Sequence, residues 1–236
     1  MKSILEATPT LRDGERLNRE EFVNRWEALP NLKFAELIGG IVHLRLFPLS
    51  LDHSDGGFTI SNWLGAYAFA TPGCVGSNDA TWYMRDDAPQ PECSLRILPE
   101  YGGQSSTITR DGKRFGVGAP ELIVEVSLST RDVDLGEKKE LYRKAGVLEF
   151  PCIQPEKKKL NWFRLVGTKY VELKPKGGIY QSMVFPGLWL DTKAFFAGDS
   201  ARVLDVLRDG LASPEYLMFK RELAGRRRSE GESEIK

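Results

Sequence analysis

Features that would assign this chain to a specialised class are scarce. It has three cysteines (Cys74, Cys93 and Cys152), whose scattered spacing fits neither a zinc site nor a disulfide framework, so we interpret them as buried thiols in a reducing cytoplasm. No apolar run approaches the roughly 18 residues of a membrane span, and the N-terminus lacks the apolar core of a signal peptide. We therefore expect a cytoplasmic protein that is not embedded in a membrane.

The charge balance excludes another class. The 33 basic and 33 acidic residues cancel, so the chain lacks the global cationic field of proteins that coat nucleic acid. Any binding of nucleic acid has to depend on a local group of residues.

The length of 236 residues suits one well-buried α/β domain. We predict a flexible arm over residues 1–15, the domain over residues 16–212, and a terminal helix with a charged, disordered tail over residues 213–236. Glycine pairs and Gly-Thr steps between apolar runs predict β-hairpins at Gly39-Gly40 and at Val166-Gly167-Thr168.

One segment is predicted to lack regular structure. Residues 99–118 are rich in glycine, serine and charge, which is typical of a long loop. Its cations Arg110, Lys113 and Arg114 could meet a phosphate backbone, with a simple solvated loop as the alternative.

The strand predicted over residues 120–127 carries a charge among apolar residues. Side chains alternate along a strand, so Leu122, Val124 and Val126 share one face, and Ile123, Glu125 and Ser127 share the other. A buried carboxylate is costly unless it is paired or binds a metal, so Glu125 requires a partner.

The helix that follows offers such a partner. Asp134 and Glu137 make a capping box and Gly146 a stop, which predicts a helix from Leu135 to Ala145. Lys138 then shares the apolar stripe of that helix with Leu141, Tyr142 and Ala145. The pair Glu125–Lys138 is open to two interpretations, a structural ion pair or part of a reactive site.

A second carboxylate opens a second strand. Residues 90–97 read as a strand that begins at a proline, with Glu92, Ser94 and Arg96 on one face. Two carboxylates and a lysine at the ends of neighbouring strands suit metal-dependent phosphodiester hydrolysis, because the carboxylates can hold a hard divalent cation and the lysine can neutralise phosphate.

Several segments, in order, resemble those of one family, the Uma-type endonucleases of the PD-(D/E)xK, or restriction-endonuclease-like, superfamily. The resemblance covers about Leu17 to about Asp199. The segments that carry it are Ala35-Glu36-Leu37-Ile38-Gly39-Gly40-Ile41-Val42, His53, Gln90-Pro91-Glu92, Gly118 to Ser127, Asp134-x-x-x-Lys138-x-x-x-Tyr142-x-x-x-Gly146-Val147, and Phe185 to Leu190.

The resemblance implies a fold and a reaction. The fold is α/β, with a restriction-endonuclease-like core, a mixed central sheet flanked by helices and an added β-hairpin. The reaction is metal-dependent hydrolysis of phosphodiester bonds in DNA, with Mg²⁺ as the cofactor and Mn²⁺ as a substitute. A homodimer is the expected assembly, since cutting both strands needs two sites.

The resemblance also assigns roles to residues. Glu92 stands where the family has an aspartate, and together with Glu125 it is the implied metal ligand. Lys138 is the implied catalytic lysine, displaced to the helix from the usual superfamily position, here Ser127. Glu36 is an implied helper at the same site. His53 is weighed as a phosphate or water contact against a structural role, and the latter is favoured.

The glutamate at position 92 departs from the family pattern and opens a second hypothesis about function. Glu92 is one methylene longer than aspartate, which favours a catalytically weakened or silent module that binds nucleic acid or a protein partner. A purely structural salt bridge between Glu125 and Lys138 is the third hypothesis.

Pro151 also departs from the family pattern. It removes a ladder donor, so its strand is expected at a sheet edge or shortened. The aromatic stretch from Phe185 to Leu190 is assigned to packing.

Overall fold

The structure, a computed structural model, describes residues 10–44, 51–127 and 134–233, with side chains throughout these ranges except at positions 52, 53, 134 and 227–233. The helices are α1 (Arg19–Glu27), α2 (Leu51–Ala70), α3 (Lys139–Ala145), α4 (Thr192–Phe196), α5 (Ser200–Leu211) and α6 (Pro214–Ser233). The strands are β1 (Ala35–Ile38), β2 (Ile41–Leu44), β3 (Cys74–Asn78), β4 (Trp82–Tyr83), β5 (Cys93–Ile97), β6 (Ser106–Arg110), β7 (Lys113–Val117), β8 (Leu122–Val126), β9 (Glu149–Gln154), β10 (Lys159–Val166), β11 (Lys169–Glu172), β12 (Ile179–Gln181) and β13 (Trp189–Asp191).

A six-stranded sheet forms the centre, in the order β11-β10-β9-β8-β5-β3. Strands β8 and β9 run parallel and the other neighbours are antiparallel, so the sheet is mixed. The parallel pair is joined by a crossover that contains α3, as parallel strands require. This confirms the predicted mixed sheet flanked by helices.

The two faces of the central sheet bury different clusters. Leu122 and Val124 face the larger core, which lies under α2 and α5 and includes Trp63 and Leu207. The opposite face carries Ile123 and packs against a second cluster. Its main members are Ile38, Trp82, Met84, Leu141, Tyr142 and Phe150. The period-two alternation of β8 thus divides the two cores as predicted.

The hairpin β1–β2 is added on the side of the second cluster. Gly39 and Gly40 form its two-residue turn with positive φ angles of 60° and 73°, which fits the predicted glycine hairpin. A third cluster, which includes Phe22 and Leu37, joins this hairpin to α1. Asn18 caps the start of helix α1, because its side chain accepts a hydrogen bond from the Glu21 amide.

The prediction of a long loop over residues 99–118 is wrong. After a short 3-10 turn (Pro99–Tyr101), the segment forms the antiparallel hairpin β6–β7, which pairs through β7 with β4. Asp111 and Gly112, with φ of 48° and 74°, make its two-residue turn. Asp-Gly is a strong signal for this kind of turn, and the surrounding polar residues hid it because both strands are largely exposed.

The expectation that the Pro151 strand lies at an edge or is shortened is also wrong. Strand β9 is a fully buried central strand of six residues between β8 and β10. Leu165 donates to the Leu148 carbonyl, and because hydrogen-bonded pairs alternate, Pro151 and Trp162 form a non-hydrogen-bonded pair. The nitrogen of Pro151 therefore points toward β8, where the described ladder skips from Leu122–Glu149 to Glu125–Cys152.

Predictions for the two chain ends and for the aromatic stretch can also be compared with the structure. Residues 1–9 of the predicted flexible arm lie outside the described residues; of the remainder, Leu11 is buried and the Gly14 amide donates to the Val42 carbonyl. Helix α6 extends to Ser233, into the predicted disordered tail. Phe185 and Leu188 are fully buried, which confirms their assignment to packing.

The three cysteines are free and buried, as predicted. Among the described residues, no helix has both the length and the apolar character that crossing a membrane requires.

Candidate active site

Glu125 lies in the penultimate position of β8, on the face of the second cluster. Its residue is 3% exposed, so its carboxylate is almost completely withdrawn from water. Ionised carboxylates are rarely buried to this degree without partners. The partners of Glu125 define the candidate active site.

Two donors from the following helical segment reach the same oxygen of Glu125. The Lys138 Nζ lies 3.1 Å from Glu125 Oε1, and the Tyr142 hydroxyl donates to this oxygen over 2.6 Å. Lys138 and Tyr142 are four residues apart, the spacing that places side chains on one face of a helix. The backbone is a π-helical turn over Asp134–Lys138 and becomes α3 at Lys139, so the predicted helix begins in a wider turn than expected.

Lys138 is itself buried, with 6% of the residue exposed, and it binds a second carboxylate. Its Nζ lies 3.0 Å from Glu36 Oε1. The same Glu36 oxygen accepts a hydrogen bond of 2.8 Å from the Gln90 amide. The hairpin β1–β2 therefore brings Glu36 to the site, and the segment before β5 helps to orient it.

Glu92 comes directly before β5 and belongs to the same face. The β5–β8 ladder pairs Cys93 with Val124, so continuing this register by one residue places Glu92 opposite Glu125. Side chains opposite one another on antiparallel strands lie on the same face, with Cβ atoms about 4.5–5.5 Å apart. A Cβ built on Gly57 would lie 3.9 Å from Glu92 Oε2, so the first turns of α2 pass beside this carboxylate.

The charges of Glu92 and Glu125 both affect the pKa of one neighbouring thiol, that of Cys93. Burial, followed by the charges of Glu92, Asp79 and Glu125, raises the pKa of the Cys93 thiol to about 12. Cys93 therefore stays protonated, and it senses the negative field of the site from the opposite face of β5.

The site gathers three carboxylates and one ammonium. Glu36 and Glu125 share the ammonium of Lys138, and the β5–β8 register places Glu92 opposite Glu125. Within the described residues, no three His, Cys, Asp or Glu side chains are arranged to hold a metal ion together. Mg²⁺ keeps most of its waters and uses one or two carboxylates, so the pair Glu92 and Glu125 fits this ion.

The structure thus joins Glu36, Lys138 and Glu125 by direct contacts, and the β5–β8 register puts Glu92 on the same face of the central sheet. The side chain of His53 lies outside the described part of the chain. Ser127, at the usual superfamily lysine position, is buried and its amide donates to the Ile153 carbonyl over 2.7 Å.

Sequence reasoning missed three contributors. Sequence analysis puts Tyr142 on the apolar stripe with Lys138 but gives it no role at the site, although its four-residue spacing from Lys138 is a signal for one. The Gln90 amide donates to the Glu36 carboxylate, and the Asp79 amide donates to the Glu92 carbonyl over 3.2 Å; both contacts join residues that are distant in the chain. No local pattern marks either of them.

Comparison with known proteins bears on the fold and the family. A crystal structure described as "a putative nuclease belonging to DUF820" from Anabaena variabilis is similar to this chain, with a TM-score of 0.59 and 15% sequence identity. The similarity covers 77% of this chain and 98% of that one, and it shows a shared fold. No curated protein matches the chain. The sequence model of the Uma2 family, described as "Putative restriction endonuclease", matches residues 19–193. Because this match spans well over half of the sequence, and includes every residue of the candidate site, the chain belongs to the Uma2 family.

Proposed function

We propose that this protein is a metal-dependent endonuclease that hydrolyses phosphodiester bonds in DNA. The observation that carries the proposal is the buried cluster in which Lys138 joins Glu36 to Glu125, with Glu92 opposite Glu125 across the β5–β8 ladder. Membership of a family described as "Putative restriction endonuclease" supports the same reaction class.

In this proposal Glu92 and Glu125 would hold one Mg²⁺. When bound, such an ion supplies an acidified water and neutralises charge on the phosphate. Tyr142 and Lys138 fix the Glu125 carboxylate through hydrogen bonds to Oε1, which holds its rotamer in place before substrate arrives. Preorganisation of this kind matters because small displacements of a metal ligand are costly to the rate.

Lys138 and Glu36 act on the reacting groups. The ammonium of Lys138 neutralises the attacked phosphate or orients the attacking water, because it is the only ammonium in the described part of the cluster. Glu36 holds Lys138 in place and would serve as the base for the attacking water.

The glutamate at position 92 predicts a particular metal preference. Its extra methylene carries the carboxylate past the position that aspartate would give it. Mg²⁺ demands near-ideal octahedral geometry, so Mn²⁺ should be the better activator. We therefore expect weak nicking with Mg²⁺ and stronger nicking with Mn²⁺.

Supercoiled plasmid tests the proposal directly. Nicking should disappear in Glu125→Ala, whereas Glu92→Asp should raise the Mg²⁺-dependent rate toward the Mn²⁺ rate. Glu222→Ala, which removes an exposed carboxylate on α6, is the matched control and should cut like the parent. If Glu125→Ala cuts as well as the parent, the activity belongs to a contaminant.

One observation favours a second candidate, a nuclease-like module that binds without cutting. Lys138 is engaged by two glutamates at once, and such a lysine can be a purely structural cation. A parent protein that retards DNA in a gel but leaves plasmid intact with both metals would identify this silent module. A homodimer, proposed because two strands need two sites, is checked by light scattering.

A further inference from the structure

A surface groove between the β9–β10 turn, β12 and α4 is lined by cations. It has a volume of about 560 Å³. Three exposed lysines line it, Lys158 and Lys159 where the turn ends and Lys193 on α4, whereas none of its lining residues in the described chain is acidic. In a chain whose basic and acidic residues cancel, such a groove is a local positive surface that suits a polyanion.

The acidic residues of the neighbouring elements leave these lysines available. Within the described ranges, none of the three lysines lies within ion-pairing distance of a carboxylate. Glu172 on β11 binds Lys174 instead, and Asp191 at the end of β13 lies 3.7 Å from Arg202. Glu156, exposed in the β9–β10 turn, offsets at most one of the three charges. The groove therefore keeps a net positive charge.

The backbone at Lys158 distinguishes it from an ordinary surface lysine. Its φ is 45°, in the left-handed region that favours glycine, and its amide donates to the Pro155 carbonyl over 3.0 Å. Strained residues that are not glycine concentrate at functional sites. Here the strained residue carries one of the charges of the groove.

Strand pairing places these lysines at the edge of the central sheet where Glu125 lies. The parallel strands β8 and β9 pair Glu125 with Cys152, and the next hairpin pairs Gln154 with Lys159. Lys159 is therefore two residues along and two strands across from Glu125, which corresponds to about 12 Å between Cα atoms. This distance is about the width of the major groove of B-form DNA, so one duplex can reach both.

Side-chain packing connects the groove to the same edge. A Cβ built on Gly56 in α2 would lie within 3.8 to 3.9 Å of three side chains, those of Pro155, Val126 and Phe195. Pro155 begins the lysine turn, Phe195 belongs to α4, and Val126 follows Glu125 on β8. The two walls of the groove thus converge beside the strand that carries Glu125.

We propose that the groove lined by Lys158, Lys159 and Lys193 binds the DNA backbone beside the bond that the carboxylate cluster attacks. This inference rests on the proposed function for its ligand, but it concerns binding and not cutting. Lysines on two sides of a groove can each contact a different phosphate, which an extended polyanion offers and a free phosphate ion does not.

The test is the salt dependence of binding to a short fluorescein-labelled duplex, measured by fluorescence anisotropy in EDTA, where DNA binds without being hydrolysed. Each lost phosphate contact should reduce the slope of log K against log salt by about 0.9. Lys158→Gly and Lys193→Ala should each show this reduction, and the double variant about twice as much. Lys169→Ala is the matched control, because Lys169 is an exposed lysine paired with the opposite end of β10, and it should bind like the parent.

Lys158→Gly also separates a lost contact from a lost fold. Glycine adopts a φ of 45° without strain, so the urea midpoint of this variant should equal or exceed that of the parent while its DNA binding weakens. A midpoint below that of the parent would contradict the strain assigned to Lys158, and Lys193→Ala would then carry the binding test.

The outcomes separate the groove from the proposed function. Lys158→Gly and Lys193→Ala that bind with the slope of Lys169→Ala would overturn the groove, even if the parent nicks plasmid, and so would a parent that does not bind the duplex. The expected reductions, in a parent that never nicks, would support the groove and overturn the nuclease. Stabilisation of the parent by inorganic phosphate that is lost in Lys158→Gly, with unchanged DNA slopes, would assign the groove to a free anion and overturn the inference.

Discussion

Removal of the Lys138 ammonium should be among the most damaging single changes in this domain. In Lys138→Met the side chain keeps its length, but Glu125 and Glu36 lose the cation at 3.1 and 3.0 Å. The side chain of Glu125 is 4% exposed and that of Glu36 is 17% exposed, so most of the cost arises at Glu125. Breaking a buried pair by removing one partner costs about 3–5 kcal/mol, and we expect a loss in this range.

Urea unfolding in EDTA measures this loss as a shift of the midpoint at constant slope. Lys144→Met is the control on the same helix: its side chain is 58% exposed, and its contact with Glu140 is a surface ion pair that contributes little. Mg²⁺ should then restore more stability to Lys138→Met than to the parent, because a cation bound only by the folded state stabilises it. A Lys138→Met protein as stable as Lys144→Met would refute the buried pair, and a large loss that saturating Mg²⁺ leaves unchanged would favour a purely structural salt bridge.

Two further predictions concern buried carboxylates. Tyr142→Phe removes the 2.6 Å hydrogen bond to Glu125 and should lower the free energy of unfolding by about 1.5–3 kcal/mol, measured by urea unfolding; no change would mean that the hydroxyl does not hold Glu125. Burial raises the pKa of Glu149, although the Ser182 hydroxyl and the Met183 amide donate to it. Its folded pKa lies above its unfolded pKa, so its contribution to stability is complete below the unfolded value and is lost as pH rises through the folded value. As pH rises from about 4.3, the pKa of an unfolded-chain glutamate, the free energy of unfolding of the parent should therefore fall relative to that of Glu149→Gln. A difference between the two proteins that is constant with pH would contradict this.

Local periodicity was enough to find the centre of the site. The alternation of β8 separates Glu125 from Leu122 and Val124, and helical spacing puts Lys138 toward the apolar side. Both patterns are local, and the contact between Lys138 and Glu125 joins the two residues that they single out.

The parts that sequence reasoning misjudged depend on distant neighbours. Pro151 is tolerated in a central strand because its nitrogen faces an interruption of the β8–β9 ladder, a fact that depends on the register of two partner strands. The contact between Glu36 and Lys138 joins segments that are far apart in the chain, and so does the hydrogen bond from the Gln90 amide to Glu36. No residue pattern within one element contains this information.

The displaced lysine follows from how the site is built. A lysine at position 127 would share the face of Glu125, but this position is buried at the end of β8, where the Ser127 amide binds β9. Lys138 instead approaches from the helical segment, where it is buried on the same stripe as Leu141 and Tyr142. From there its ammonium contacts both Glu125 on β8 and Glu36 on the added hairpin. The helix position therefore couples the hairpin β1–β2 to the central sheet, because one ammonium contacts a carboxylate of each.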